Sequence, residues 1–156
     1  MIFDLRFQER TGRVEVMTED ELKKRTKRFA LRILKLVAAL PKTVAGRTIG
    51  GQLVRSGTSV PANYRAACRA RSKAEFISRL GAVEEEADES ALWLELIMEG
   101  ALMKKTRVEP LWKEADELVA IMTSSRKSAS SSLASETNRK RARVSQTSIA
   151  NLKSKI

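Results

Sequence analysis

Between Gly46 and Arg71 the chain reads GRTIGGQLVRSGTSVPANYRAACRAR, a run that holds four glycines, one proline and five arginines yet keeps a helical apolar period. Leu53, Gly57, Val60, Tyr64 and Ala67 follow one another at steps of four and three, which places them on one face of a helix. Each glycine costs up to ~1 kcal/mol of helix propensity relative to alanine. Close backbone contact with another helix is the plainest way to offset that cost. A proline inside a helix removes one hydrogen bond and crowds the carbonyl four residues back, here that of Gly57. One long helix from about Thr43–Arg47 to about Arg71, kinked near Gly57–Pro61, is therefore expected rather than two short ones. Small residues inward and arginines outward describe an assembly surface better than a reaction centre.

The segments on either side carry the same signature. Thr18-Glu19-Asp20-Glu21 fits a capping box with acids at the positive end of a helix dipole. Leu22, Phe29, Ile33, Leu36 and Leu40 then form a stripe that Pro41 closes, giving a first helix over about 19–40. Ser72-Lys73-Ala74-Glu75 reads as a second capping box and opens a third helix over about 73–105. It has one apolar side at Ile77, Leu80, Ala87, Ala91, Leu94, Met98 and Ala101, and an adjoining one at Phe76, Val83, Ser90, Trp93 and Ile97. Two apolar sides allow one to be buried in the bundle and the other offered to a partner. After a connector at 106–110, with Pro110 in a first turn, Leu111, Ala115, Leu118 and Met122 mark a fourth helix.

The ends differ. Residues 1–17 have no sustained period; Ile2, Leu5 and Phe7 against Val14 and Val16 allow a hairpin around Thr11-Gly12, but a flexible leader is the preferred reading. Serine supplies ten of the final 34 residues, with a basic cluster at Asn138–Arg143, so 126–156 reads as a disordered, Ser-rich basic tail. That leaves 18–125 as an all-α region of four amphipathic helices.

Histidine is absent from all 156 residues, which removes Ser-His-Asp and Cys-His catalysis and the common histidine zinc sites. Cys68 is the single cysteine, cannot form an internal disulfide, and fits a reducing cytoplasm. The carboxylates at Glu84–Glu89 lack the Glu-x-x-His pairs of di-metal bundles. Gly46–Gly51 lacks the GK[ST] ending of a phosphate-binding loop. Aromatic residues are only 4 % of the chain, so a base-stacking platform is disfavoured. No enzymatic activity, metal or cofactor is expected, and no stretch has the apolar length of a membrane span.

The net charge of +11 is unevenly placed: 18–73 carry fourteen bases and three acids, 74–99 one base and eight acids, and 126–156 eight bases and one acid. A basic first half and an acidic third helix are separate surfaces. The first presents Lys23, Lys24, Lys27, Arg28, Arg32, Arg55, Arg65, Arg69 and Arg71 as candidates for binding RNA or DNA without sequence preference. The second presents Glu85 and Glu89, which with Trp93, Gly50 and Gly57 are candidates for contacts between copies of the chain. A rival reading is a structural or protein-adaptor homo-oligomer whose basic residues pair with neighbouring subunits.

The succession LPKT at 40–43, GQLVRSGTSVPANYRAACRARSKAEF at 51–76, and the helix with EEEADES and WLELI resembles the four-helix-bundle protein family of intervening sequences in bacterial 23S ribosomal RNA genes. It is similar, more distantly, to the accessory variability protein of diversity-generating retroelements. The likeness covers about Thr18–Met122, and Arg55–Asn63, R-S-x-x-S-x-P-A-N in pattern, is its most specific part. The family ending A-N-I-A-E-G appears here as Ala62-Asn63-Tyr64-Arg65-Ala66-Ala67, without its Glu and Gly. The resemblance implies an up-and-down four-helix bundle that assembles as a homopentamer with no established enzymatic activity. The retroelement likeness further implies nucleic-acid binding and association with a reverse transcriptase.

Overall fold

A computed structural model describes the backbone of residues 5–8 and 14–153 and the side chains of 17–144. Among these residues two strands precede four helices: β1 (Leu5–Gln8), β2 (Val14–Met17), α1 (Glu19–Ala38), α2 (Val44–Ala67), α3 (Lys73–Glu99) and α4 (Lys105–Lys153). The strands pair antiparallel with Leu5 opposite Met17 and Gln8 opposite Val14. The alternation at the start of the chain is thus realised as an antiparallel strand pair, not as the flexible leader that the sequence reading prefers. Thr11-Gly12 lies outside the described residues.

The caps explain where the helices start. Thr18 Oγ1 accepts from the Glu21 amide at 3.3 Å, and Glu21 Oε2 accepts from the Thr18 amide at 2.7 Å, so the first capping box is complete. At α3 the Ser72 hydroxyl accepts from the Glu75 amide, but the Glu75 carboxylate reaches one residue further back, to the Arg71 amide at 2.9 Å. That departure ties the α2–α3 turn shut.

α3 ends at Glu99, earlier than the apolar spacing indicates. The Leu102 amide donates to Ile97 O and the Ala101 amide to Met98 O, a Schellman closure that puts Ala101 at φ 52°. Ala101 therefore belongs to the connector, not to the α3 stripe, and α4 begins at Lys105 with Pro110 inside it. α4 also runs far past the expected boundary at 126. No glycine or proline follows Pro110, and the core stripe of Leu111, Ala115, Leu118 and Met122 continues through Ser125 and Ala129 to half-buried Leu133. Helical spacing persists where apolar composition fades, so the reading of 126–156 as disordered gives way to helix as far as Lys153.

α1 and α3 occupy diagonal corners, each packed on α2 and α4. The core between them holds Leu22, Phe29 and Ile33 of α1, Leu53, Val60 and Tyr64 of α2, Leu80, Val83, Leu94 and Ile97 of α3, and Val108, Leu118, Ile121 and Met122 of α4. Both apolar sides of α3 are consumed inside the chain: Phe76, Val83, Ser90 and Ile97 are buried together with Leu80 and Ala87. A helix flanked by α2 on one side and α4 on the other needs a wide apolar face, so the second side is not left for a partner. The large apolar residues that remain exposed on these two diagonal helices are Leu31 and Leu34 on α1 and Leu92 and Leu96 on α3.

Gly50 and Gly57 lie in the α1–α2 seam. A Cβ on Gly57 would sit 2.1 Å from Ile33 Cδ1, and one on Gly50 would meet Val37 Cγ1 at 3.0 Å. Both are buried within one chain, which corrects their assignment as subunit-interface residues and supplies the helix contact that their propensity cost requires.

Candidate nucleic-acid interface

The α1–α2 flank carries a groove of about 520 Å³ lined by Lys23, Lys24, Lys27, Arg65 and Arg69 around Thr58, Pro61 and Ala62. The helical period brings Lys23, Lys24 and Lys27 of α1 beside Arg65 and Arg69 of α2. Lys23 is held by Glu19, whose hydrogen bond keeps the ammonium above its ordinary pKa. Lys24, Lys27, Arg65 and Arg69 are exposed and make no ion pair among the described residues. The groove floor has no acid to neutralise them.

Other sequence candidates fall elsewhere. Arg71 is exposed on the α2–α3 turn beside the groove, and Arg28 is exposed on α1. Arg32 lines a separate cleft of about 220 Å³ between α1 and α4 with Lys35 and Arg107, two cations the sequence reading left out. The spacing of Arg32 and Lys35 could have flagged the cleft; Arg107 could not, because its meeting with α1 depends on the α3–α4 connector.

Arg55 is the clear correction. Its guanidinium binds the Glu89 carboxylate and lies 3.8 Å from Glu86, so this cation fastens α2 to α3 and stands outside the basic groove. The Arg55 hydrogen bond, followed by one from Trp93 Nε1 at 3.0 Å, holds Glu89 below the ordinary carboxylate range. Glu89 and Trp93 therefore form an intrachain cluster, with Trp93 half-buried against the core. Glu86 is pushed up by burial, since its Oε2 has no hydrogen-bond partner. Just inside, the Ser90 hydroxyl donates across the same seam to Ser56 at 2.9 Å.

The flank opposite the basic groove has the reverse charge. Glu84, Glu85 and Asp88 line a cleft of about 400 Å³ between α3 and α4 with Gly81, Val119 and Arg126. Glu84 accepts from Thr123 Oγ1 at 2.7 Å and from Arg126 Nε at 2.8 Å, whereas Glu85 is exposed. Among the described residues no cluster of three His, Cys, Asp or Glu could hold a metal ion, and no helix is long and apolar enough to cross a membrane. Burial pushes the Cys68 thiol up, away from a reactive thiolate.

Residues 18–124, the four-helix region less the distal part of α4, match the family described as 23S rRNA-intervening sequence protein. The chain belongs to that family. It is also similar to a 1.70 Å crystal structure of a protein with unknown function from the S23 ribosomal protein family of Bacteroides thetaiotaomicron. The two are 31 % identical with a TM-score of 0.64, over 71 % of this chain and 99 % of that one. A comparison with curated proteins finds no match. For this member of the intervening sequence protein family, the hairpin and the distal half of α4 lie outside the matched region.

Proposed function

We propose that this intervening sequence protein is a non-enzymatic, cytoplasmic, oligomeric scaffold that binds RNA or DNA through phosphate contacts in the α1–α2 groove. The observation that carries the reading is the set Lys24, Lys27, Arg65 and Arg69, gathered in one groove with no acid among its lining residues. Such a surface has no base-reading geometry, so binding is sequence-tolerant and driven by counterion release. Association with a reverse transcriptase is the further partner that the retroelement likeness brings. Fluorescence anisotropy with labelled RNA and DNA over a salt series tests the reading. Wild type should bind at low salt and lose affinity steeply as salt rises, and the double variant Lys27→Glu, Arg65→Glu should lose most binding. Absence of binding at low salt would overturn it.

The acidic cleft on the opposite flank favours a second reading, a structural homo-oligomer. In a closed ring each contact joins two different surfaces. The basic α1–α2 flank of one copy can meet the acidic α3–α4 flank of the next, with Leu31 and Leu34 facing Leu92 and Leu96. A pentamer is the ring size that the family resemblance brings. Reversing Glu85 and Asp88 to Lys should lower the native mass at moderate salt while leaving the helical signal intact. An unchanged mass would remove charge pairing from the account of assembly.

A further inference from the structure

α4 runs antiparallel to α3, and their contacts fix where it leaves the bundle. Trp112 Nε1 donates to Glu95 at 2.9 Å, Arg126 meets Glu84, and near the start of α3 the Lys73 ammonium donates to Ser132 Oγ at 3.0 Å and binds Glu136. Lys73 is the first residue of α3, so beyond Glu136 α4 has no α3 beside it. Among the described residues Ala129 is the last buried one, Leu133 is half-buried, and every residue from 134 to 144 is exposed. The helix nevertheless continues to Lys153, roughly 25 Å past Glu136 at about 1.5 Å per residue.

The exit point is also where the basic groove opens. The α2–α3 turn carries Arg69 and Arg71, and Lys23 and Lys24 at the start of α1 line the groove beside Arg65. On the projecting helix Arg139, Lys140, Arg141 and Arg143 fall within five residues. Glu136 is the one acid in residues 126–156; Lys73 binds it, and Lys140 and Arg139 add weaker attraction. Arg139, Lys140 and Arg141 are all exposed on this helix.

We propose that α4 beyond Glu136 is a nucleic-acid-binding arm that lies in the major groove of a duplex whose backbone the α1–α2 groove holds at the same end of the bundle. The proposal rests on the nucleic-acid reading above and adds a second, separable contact. Arg139, Lys140 and Arg141 are consecutive, so they fan through about 200° of the helix circumference. Cations spread that widely suit a groove with phosphates on both walls, and the major groove, about 12 Å wide, admits one helix. A one-sided cluster would suit a flat single strand better.

The test uses the full chain, labelled DNA and RNA duplexes, and two variants made at exposed positions: Arg139→Gln, Lys140→Gln, Arg141→Gln for the arm, and Lys27→Gln, Arg65→Gln for the groove. The arm variant should melt like wild type, bind duplex DNA more than roughly tenfold more weakly at 0.1 M salt, and lower the slope of log affinity against log salt by about 2.7, near 0.9 for each lost phosphate contact. Far-ultraviolet helicity should rise when duplex is added to wild type and rise less in the arm variant. Wild-type affinity and slope in the arm variant, alongside a weakened groove variant, would overturn the arm while leaving the groove. Failure of wild type to bind any duplex would overturn the arm, and failure to bind single strands as well would overturn the groove reading with it. Displacement of the duplex by poly-L-glutamate at equal charge concentration would also overturn the proposal, because it would assign the arm to an acidic protein.

Discussion

The two halves of α4 are one helix under two regimes. From Val108 to Ala129 it presents Leu111, Ala115, Leu118 and Met122 to the core, while Arg25 and Glu84 hold its flanks. Beyond that, the tie to α3 is the contact of Lys73 with Ser132 and Glu136, and the residues from 134 to 144 are exposed. Packing therefore explains the first half, and a run without glycine or proline explains the second. Continuity of a helix says little about how firmly its parts are held.

A proline placed in each half breaks or sharpens that contrast most strongly. Ala120 is exposed in the packed half, and Ala120→Pro should destabilise the bundle by about 3 kcal/mol or more in urea unfolding. Ala142→Pro, exposed in the distal half, should remove helical ellipticity and leave the unfolding midpoint unchanged. Equal effects from the two would mean that the arm is part of the cooperative unit. The next largest effect concerns the clamp on the packed half. Arg25 Nε and Nη2 donate to both oxygens of Glu114 at 2.8 and 3.1 Å, and Arg25 also binds Glu117. The side chains of Arg25 and Glu114 are only 16 % and 18 % exposed, so Arg25→Ala strands a half-buried carboxylate. A loss of about 1–3 kcal/mol is expected, and a loss below about 0.5 kcal/mol would show that water replaces the clamp freely.

The same contrast accounts for what the sequence could disclose. Thr18 with Glu21, and the stripes through Phe29, Val60 and Leu118, declare helices because caps and periods are local properties, and the structure buries those stripe residues. The glycines at 50 and 57 declared a close helix contact for the same reason, but not whether the neighbour was Ile33 of the same chain or a second copy. In the candidate site, Lys24, Lys27, Arg65 and Arg69 were legible as surface cations. The loss of Arg55 to Glu89, thirty-four residues away in sequence, was not, because it depends on how α2 faces α3. The distal helix was missed by weighing apolar content where Ala129 and Leu133 still kept the period.

A smaller effect tests how α4 is set in place. Ala101 adopts φ 52° at the position of the α3 terminus where glycine is the usual occupant, with Gly100 one residue too early to serve. An L-residue there carries a penalty of roughly 1–2 kcal/mol, partly offset in an Ala→Gly exchange by the greater entropy of the unfolded glycine. Ala101→Gly should therefore stabilise the bundle by about 0.5–1 kcal/mol, read as a higher urea midpoint. A lower midpoint would mean that the alanine methyl makes contacts worth more than the backbone strain.

The smallest expected effect lies where the two halves of α4 meet. The Lys73 hydrogen bond is the main cause holding Glu136 below the ordinary carboxylate pKa, with Lys140 and Arg139 adding weaker attraction. A carboxyl lowered in the folded protein contributes stability above its unfolded pKa and loses it as pH falls through the folded value. The side chain of Glu136 is 51 % exposed, so solvent screens the pair and global stability should hardly change. The local junction should respond instead. On acidification below the ordinary carboxylate range, amide exchange around residues 132–136 should accelerate relative to that around Leu118 after correction for intrinsic rates. In Glu136→Gln the junction should already exchange at the faster relative rate at neutral pH and show less further change. Identical profiles for the two proteins would mean that the helical backbone alone, without the Lys73 tie, carries order from the packed half of α4 into the arm.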